Sequence, residues 1–145
     1  MINVRNAHTD TLSNAHVAVE EILSQLKLDI YSRTNAIAII SCNSEFIDNG
    51  FVDLLSQALP CELVGITTVA SSTAVGMGIF SCSVSVLLSD DVTFVTAYSD
   101  SINTDNMDRV IDATYKNASA DYREKPAMIL TYAPFIFTVD CARSE

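Results

Sequence analysis

The segment from Ala36 to Thr67 constrains the fold more than any other part of the chain. It opens on a short, continuous apolar run, Ala36 to Ser41 (AIAIIS), bounded by polar residues, which is the pattern of a strand buried on both faces in a parallel sheet. Phe51, Leu54, Leu55 and Ala58 then recur at helical spacing. Asp48 or Asn49 can cap the start of that helix, and Pro60 stops it. Cys61 to Thr67 (CELVGIT) reads as the next strand. Strand, helix and strand within about 30 residues make one βαβ unit with its two strands parallel.

The flanks extend this unit. Ile2 to Ala7 reads as an opening strand diluted by Asn3, Arg5 and Asn6. Leu12, Ala15, His16, Val19, Ile22, Leu23 and Leu26 form the apolar stripe of a helix with Thr9 or Asp10 as N-cap. Beyond Thr67 the pattern changes. Ser81, Ser83 and Ser85 alternate with Cys82, Val84 and Val86, as in an antiparallel strand with one wet face, and Asp90-Asp91 is expected to turn the chain into a second strand, Val92 to Ser99. A helix is expected from about Asp105 to Ser119 and a buried strand over Ala127 to Tyr132. The expected fold is therefore α/β in the mixed α+β sense: a mixed sheet with a parallel βαβ core plus an antiparallel hairpin, and helices packed on the sheet.

A chain of 145 residues is the size of one domain, and 49% hydrophobic against 18% charged residues argues for a folded core. The formal net charge of −10 repels both nucleic acid phosphates and anionic membrane surfaces, so neither is expected as a partner. No run approaches the ~20 apolar residues of a membrane span, and Met1 to His8 lacks the basic-then-apolar order of a signal peptide. Cys42, Cys61, Cys82 and Cys141 are spaced neither as a disulfide framework nor as a zinc site, which favours buried thiols, a cytoplasmic location and no metal.

The strand ends supply the candidate site. If the strands at Ala36 and Cys61 are parallel, their carboxyl ends open on one edge of the sheet, where open α/β sheets hold ligands. Ser41, Cys42, Asn43 and Ser44 would there face Thr67, Thr68, Ser71 and Ser72, a set of hydroxyls, an amide and a thiol that can orient a polar small molecule without supplying charge. The same residue types also cap turns and helix starts. Cys42 has the position of a nucleophile, but His8 and His16 are the only histidines, and His16 on the apolar stripe reads as a hydrogen-bonded core imidazole. A buried structural thiol is the expectation for Cys42, and no catalytic residue or cofactor is assigned. Gly76-Met77-Gly78 reads as a turn, because a strand and not a helix follows it, and Asp90-Asp91 as turn chemistry.

The stretch Leu63 to Asp90 (LVGITTVASSTAVGMGIFSCSVSVLLSD) resembles the segment that typifies the amino-terminal domain of the FIST family, in residues Gly65, Thr67, Thr68, Ser83, Val84, Val86, Leu88, Ser89 and Asp90. Val69-Ala70-Ser71 departs from the family's small-Gly-Glu step. The resemblance implies an intracellular sensory domain of signal transduction that binds a small molecule, amino acids being the usual suggestion. It also implies a carboxy-terminal FIST domain or a signalling output module as partner, this chain being the first part of a larger two-domain module. The apolar tail Phe135, Ile136, Phe137 and Val139 needs a cover, so a homodimer is the expectation for the isolated chain.

Overall fold

The apolar run beginning at Ala36 is a strand in the computed structural model, which describes residues 1–28, 35–73, 76–99, 102–103, 105–120 and 126–132. The chain divides into two compact units, Met1–Phe94 and Val95–Glu145. The first contains strands β1 (Ile2–Thr9), β2 (Asn35–Cys42), β3 (Glu62–Thr67), β4 (Ser71–Thr73), β5 (Gly76–Gly78) and β6 (Cys82–Ser89), with helices α1 (Ala15–Leu26), α2 (Glu45–Asp48) and α3 (Phe51–Ala58).

Four strands form a mixed sheet in the order β1, β6, β2, β3. β2 and β3 run parallel, joined by α2 and α3, which is the βαβ unit expected from Ala36 to Thr67. β6 runs antiparallel to both β1 and β2 and lies between them, so β1, α1 and β2 make a second crossover split by an inserted strand. Both crossovers proceed in the same direction across the sheet, and right-handed connections then put their helices on the same face. α1 and α3 do pack against each other there.

Period-two alternation decides which side chains meet those helices. Across the strands, Ala7, Val84 and Ile40 share one row, and Thr9, Cys82, Cys42 and Thr67 another. These rows, apart from the exposed Thr67 at the rim, meet Ala18, Val19, Ile22 and Leu26 of α1, Phe46 of α2, and Phe51 and Leu55 of α3 in one core. The rings of Phe46 and Phe51 meet edge to face at 5.1 Å between centroids, close to the favoured aromatic geometry. The opposite face of the sheet carries Ser83 and Ser85 on β6 and Ile37 and Ile39 on β2, all half-buried. Ser83 and Ser85 thus occupy the wetter face, as their alternation implied, whereas Ser81, the first serine of that pattern, is buried.

Local chemistry corrects several expected boundaries. α1 starts at Ala15, and its cap is Asn14, whose side chain accepts hydrogen bonds from the N–H groups of His16 and Val17 at 3.1 and 3.3 Å. Thr9 is the last residue of β1; its hydroxyl donates to Glu21, which also accepts from the Thr11 hydroxyl. His16 lies in the exposed first turn of α1, so it is no core imidazole. The helix before Pro60 is preceded by a separate turn, α2, and Asn49 joins the two by accepting from Phe51 N–H at 2.9 Å. Its amide also donates to the Leu12 carbonyl at 2.9 Å, tying this junction to the loop ahead of α1.

The expected turn at Asp90-Asp91 exists, because the Ser89 hydroxyl accepts from the N–H groups of Asp91 and Val92 at 3.2 and 3.1 Å. The hairpin does not lie there. Val92 to Ser99 forms no strand, and β6 finds its partners in β1 and β2. Among the described residues the antiparallel hairpin is instead β4 with β5. Gly76-Met77-Gly78 is therefore strand and not turn, with Gly76 at φ +147°, a conformation that favours glycine.

The second unit contains α4 (Met107–Ser119), close to the expected span, with Val110 buried. Ala127 to Tyr132 is not a strand: among the described residues it pairs with nothing. The tail Phe135 to Val139 and Cys141 lie outside the described residues.

Candidate functional site

The register of the parallel pair brings the expected residues to one edge. Cys42 and Thr67 are direct partners at the ends of β2 and β3, and Thr68 N–H donates to the Cys42 carbonyl at 2.8 Å, so the two chains leave the sheet side by side. Asn43 N–H donates to the Ser81 carbonyl at 3.3 Å and continues β2 against the residue ahead of β6. Ser41–Ser44, Thr67–Ser72 and the entry to β6 therefore surround a single rim.

Side-chain hydrogen bonds fasten the β4–β5 hairpin to that rim. Ser71 is buried, and its hydroxyl donates to the Ser41 carbonyl at 2.9 Å with a longer contact of 3.4 Å to the Ser81 carbonyl. Asn43 donates from its amide to the Ile79 carbonyl at 3.2 Å and accepts from Glu45 N–H at 3.1 Å, so one side chain both starts α2 and holds the far end of the hairpin. The Thr68 hydroxyl donates to the Ala70 carbonyl at 3.0 Å, and that of Ser81 to the Gly78 carbonyl at 2.8 Å. These bonds realise the capping and turn roles that the residue types also allowed.

The eight expected residues thus separate into two groups. Cys42, Asn43, Thr68 and Ser71 are engaged inside the protein. The hydroxyls of Ser41, Ser44, Thr67 and Ser72 have no hydrogen-bond partner among the described residues; Ser44, Thr67 and Ser72 are exposed and Ser41 is half-buried. Ser44 is the N-cap residue of α2, but its hydroxyl makes no capping hydrogen bond. Alternation also divides the rim by face: Ser41 shares its row with Ser83 and His8, and Thr67 shares its row with Cys42 and Cys82. His8, Cys82 and Ser83 were not recognisable as rim residues in the sequence, because only the pairing of β6 between β1 and β2 brings them there.

The thiols have distinct environments. Cys42 and Cys82 are both buried and are direct partners on adjacent strands; the neighbouring Cys82 thiol holds the Cys42 thiol below its ordinary value against the opposing effect of burial. The Cys42 thiol in turn, together with burial, pushes the Cys82 thiol far up. Burial raises the Cys61 thiol, a hydrogen bond from the Ala38 backbone opposes this, and nearby Glu62 adds to the rise.

A further concave surface lies in the second unit, an open cleft of about 300 Å³ lined in part by Tyr98, Ser99, Arg109, Val110, Thr114 and Asn117. Arg109 supplies a cation there, whereas the Thr114 hydroxyl is used within α4, donating to the Val110 carbonyl at 2.7 Å. None of these residues stood out in the sequence, since helical spacing explains the apolar ones and the polar ones fit no motif.

Among the described residues no group of three or more His, Cys, Asp or Glu side chains could hold a metal ion, and no helix is long and apolar enough to cross a membrane. Comparison with protein-family models, with curated proteins and with solved structures finds no match to this chain.

Proposed function

We propose that this protein is a ligand-binding sensory domain, one that holds a small polar metabolite by hydrogen bonds at the rim shared by β2 and β3 and signals its presence without converting it. The observation that carries this reading is the parallel pairing of Cys42 with Thr67. It supports this reading by bringing the chain segments Ser41–Ser44 and Thr67–Ser72 to the carboxyl edge of two adjacent parallel strands, Ser41 and Thr67 on opposite faces of it, beside a hairpin anchored to the same edge. Hydroxyls and backbone amides recognise the carboxylate and ammonium groups of an amino acid, so this is the favoured ligand class. The resemblance to the amino-terminal FIST domain belongs to the same proposal. With it go a cytoplasmic location and a carboxy-terminal domain or output module as the partner that reads the bound state.

A second reading, an interaction module that docks another domain or a second copy of itself, is favoured by one feature of the second unit. Met128, Ile129 and Leu130 are consecutive and exposed, at 73%, 60% and 58%. Such a run is the kind of surface that a partner covers.

Thermal denaturation in the presence of individual amino acids separates the two. A rim ligand at about a hundredfold excess over its Kd stabilises the fold by about 2.7 kcal/mol and raises the melting temperature, with the ligand recovered unchanged. A chain that gains no stability from any amino acid or small metabolite, but whose melting temperature rises with its own concentration, supports the docking reading instead.

A further inference from the structure

Cys42 and Cys82 are direct partners on adjacent antiparallel strands. The neighbouring bond from Asn43 N–H to the Ser81 carbonyl identifies residues 43 and 81 as a hydrogen-bonded pair, which makes Cys42 and Cys82 a non-hydrogen-bonded pair. In that arrangement the α-carbons lie about 4.5 Å apart and the side chains are at their closest. A disulfide needs α-carbons within about 4.4–6.8 Å. As register partners the two thiols project side by side from the same face, so the cross-link requires no strand to move out of register. Cys61 precedes the opposite end of β3, about 20 Å along the strand from Thr67, and cannot compete as a partner.

We propose that Cys42 and Cys82 form a redox-active dithiol that a small hydroperoxide converts to an intramolecular disulfide across β2 and β6. Burial selects the oxidant: both side chains are almost fully covered, which favours a molecule the size of hydrogen peroxide over a bulky disulfide such as oxidised glutathione. Cys42, whose thiol lies below its ordinary value beside Cys82, is the attacking thiolate, and Cys82, whose thiol is pushed up, is the resolving one. In the first step the Cys42 sulfur attacks one peroxide oxygen. The O–O bond breaks, Cys42 becomes a sulfenic acid, and the hydroxide released takes the proton that Cys42 lost and leaves as water. In the second step the Cys82 sulfur attacks the Cys42 sulfur. The S–S bond forms as the S–OH bond breaks, and hydroxide leaves with the Cys82 proton as a second water. The two thiols lose two electrons, and the peroxide gains them. The product pins the rim of the sheet where β2 ends and β6 begins. This site does not depend on the ligand proposed above.

The test is to treat the reduced full chain with hydrogen peroxide, alkylate the remaining thiols under denaturing conditions, and map the cysteines by peptide mass spectrometry. The expected result is loss of two of the four thiols, recovery of a Cys42 and Cys82 cross-linked peptide, and reversal by dithiothreitol, with oxidised glutathione far slower than peroxide. In a Cys82→Ala variant dimedone is expected to trap Cys42 as its sulfenic acid, which it does not do in the wild type. Should that variant not fold, the wild-type peptide map alone decides. The proposal is overturned if Cys61 or Cys141 is oxidised while Cys42 and Cys82 stay reduced, if Cys42 pairs with any other cysteine, or if wild-type Cys42 accumulates as sulfinic acid.

Discussion

Gly65 lies so close to Ile40 on the neighbouring parallel strand that a β-carbon at this position would stand 1.9 Å from the Ile40 carbonyl oxygen. No side chain fits there without displacing one strand from the other. The parallel pair that sets the rim therefore depends on this glycine, through space and not through its own dihedral angles. Gly65→Ala is expected to destabilise the fold by about 2–3 kcal/mol, the upper range for overpacking a core. Urea denaturation followed by circular dichroism measures it; a stability equal to wild type would mean that β2 and β3 are not in this register.

The buried Ser71 hydroxyl ties the β4–β5 hairpin to β2. Ser71→Ala removes one good hydrogen bond and leaves the Ser41 carbonyl short of a partner, at a cost of about 1 kcal/mol. The loss should be local. Amide exchange is expected to accelerate at Ser71–Thr73 and Gly76–Gly78 while α1 and β1 keep their protection, which hydrogen exchange read by NMR resolves residue by residue.

β1 is an edge strand, and Gln25 of α1 covers part of its outer side: its amide accepts from His8 N–H at 3.0 Å and donates to the His8 carbonyl at 2.8 Å. One side chain thus occupies backbone groups that could otherwise recruit another strand. Gln25→Ala is expected to lower stability by about 1 kcal/mol and to promote concentration-dependent association. Light scattering over a dilution series would show it, and a variant that stays as wild type at high concentration would assign Gln25 no protective role.

Those contacts explain which parts of the fold were legible in the sequence. The run Ala36 to Ser41, the stripe Phe51 to Ala58 and the stop at Pro60 are local signals, and each corresponds to its element. The strand Ser81 to Ser89 was equally visible, but its partners were not. Val92 to Ser99, rich in β-branched residues and next in sequence, was the natural candidate, whereas β6 inserts between β1 and β2, about 80 and 50 residues away in sequence by the register. Local alternation specifies a strand's faces and says nothing about which chain lies beside it. Asn14 was missed as a cap because Thr9 and Asp10 offer the same chemistry a few residues earlier, and the Thr9 hydroxyl is taken by Glu21. The rim residues on β2 and β3 followed from the βαβ pattern. Cys82 and Ser83 could not, since they reach the rim only through a long-range pairing.

Because the Cys82 thiol beside it holds the Cys42 thiol below its ordinary value, removing Cys82 should make Cys42 harder to ionise. In a background with Cys61 and Cys141 replaced by alanine, the pH midpoint for iodoacetamide alkylation of Cys42 is expected below that of an ordinary thiol. Cys82→Ala should shift this midpoint upward. A midpoint that does not move, or that moves down, would show that the thiol contact does not set the reactivity of Cys42.

The most direct test of ligand recognition at the rim is a ¹H–¹⁵N correlation spectrum of the labelled full chain, recorded while individual amino acids are titrated in. A saturable response centred on Ser41–Ser44 and Thr67–Ser72, with the spectrum of the added amino acid unchanged over time, is the predicted result. Shifts confined to Arg109–Asn117 of α4, consumption of the ligand, or no saturable response to any amino acid would contradict it.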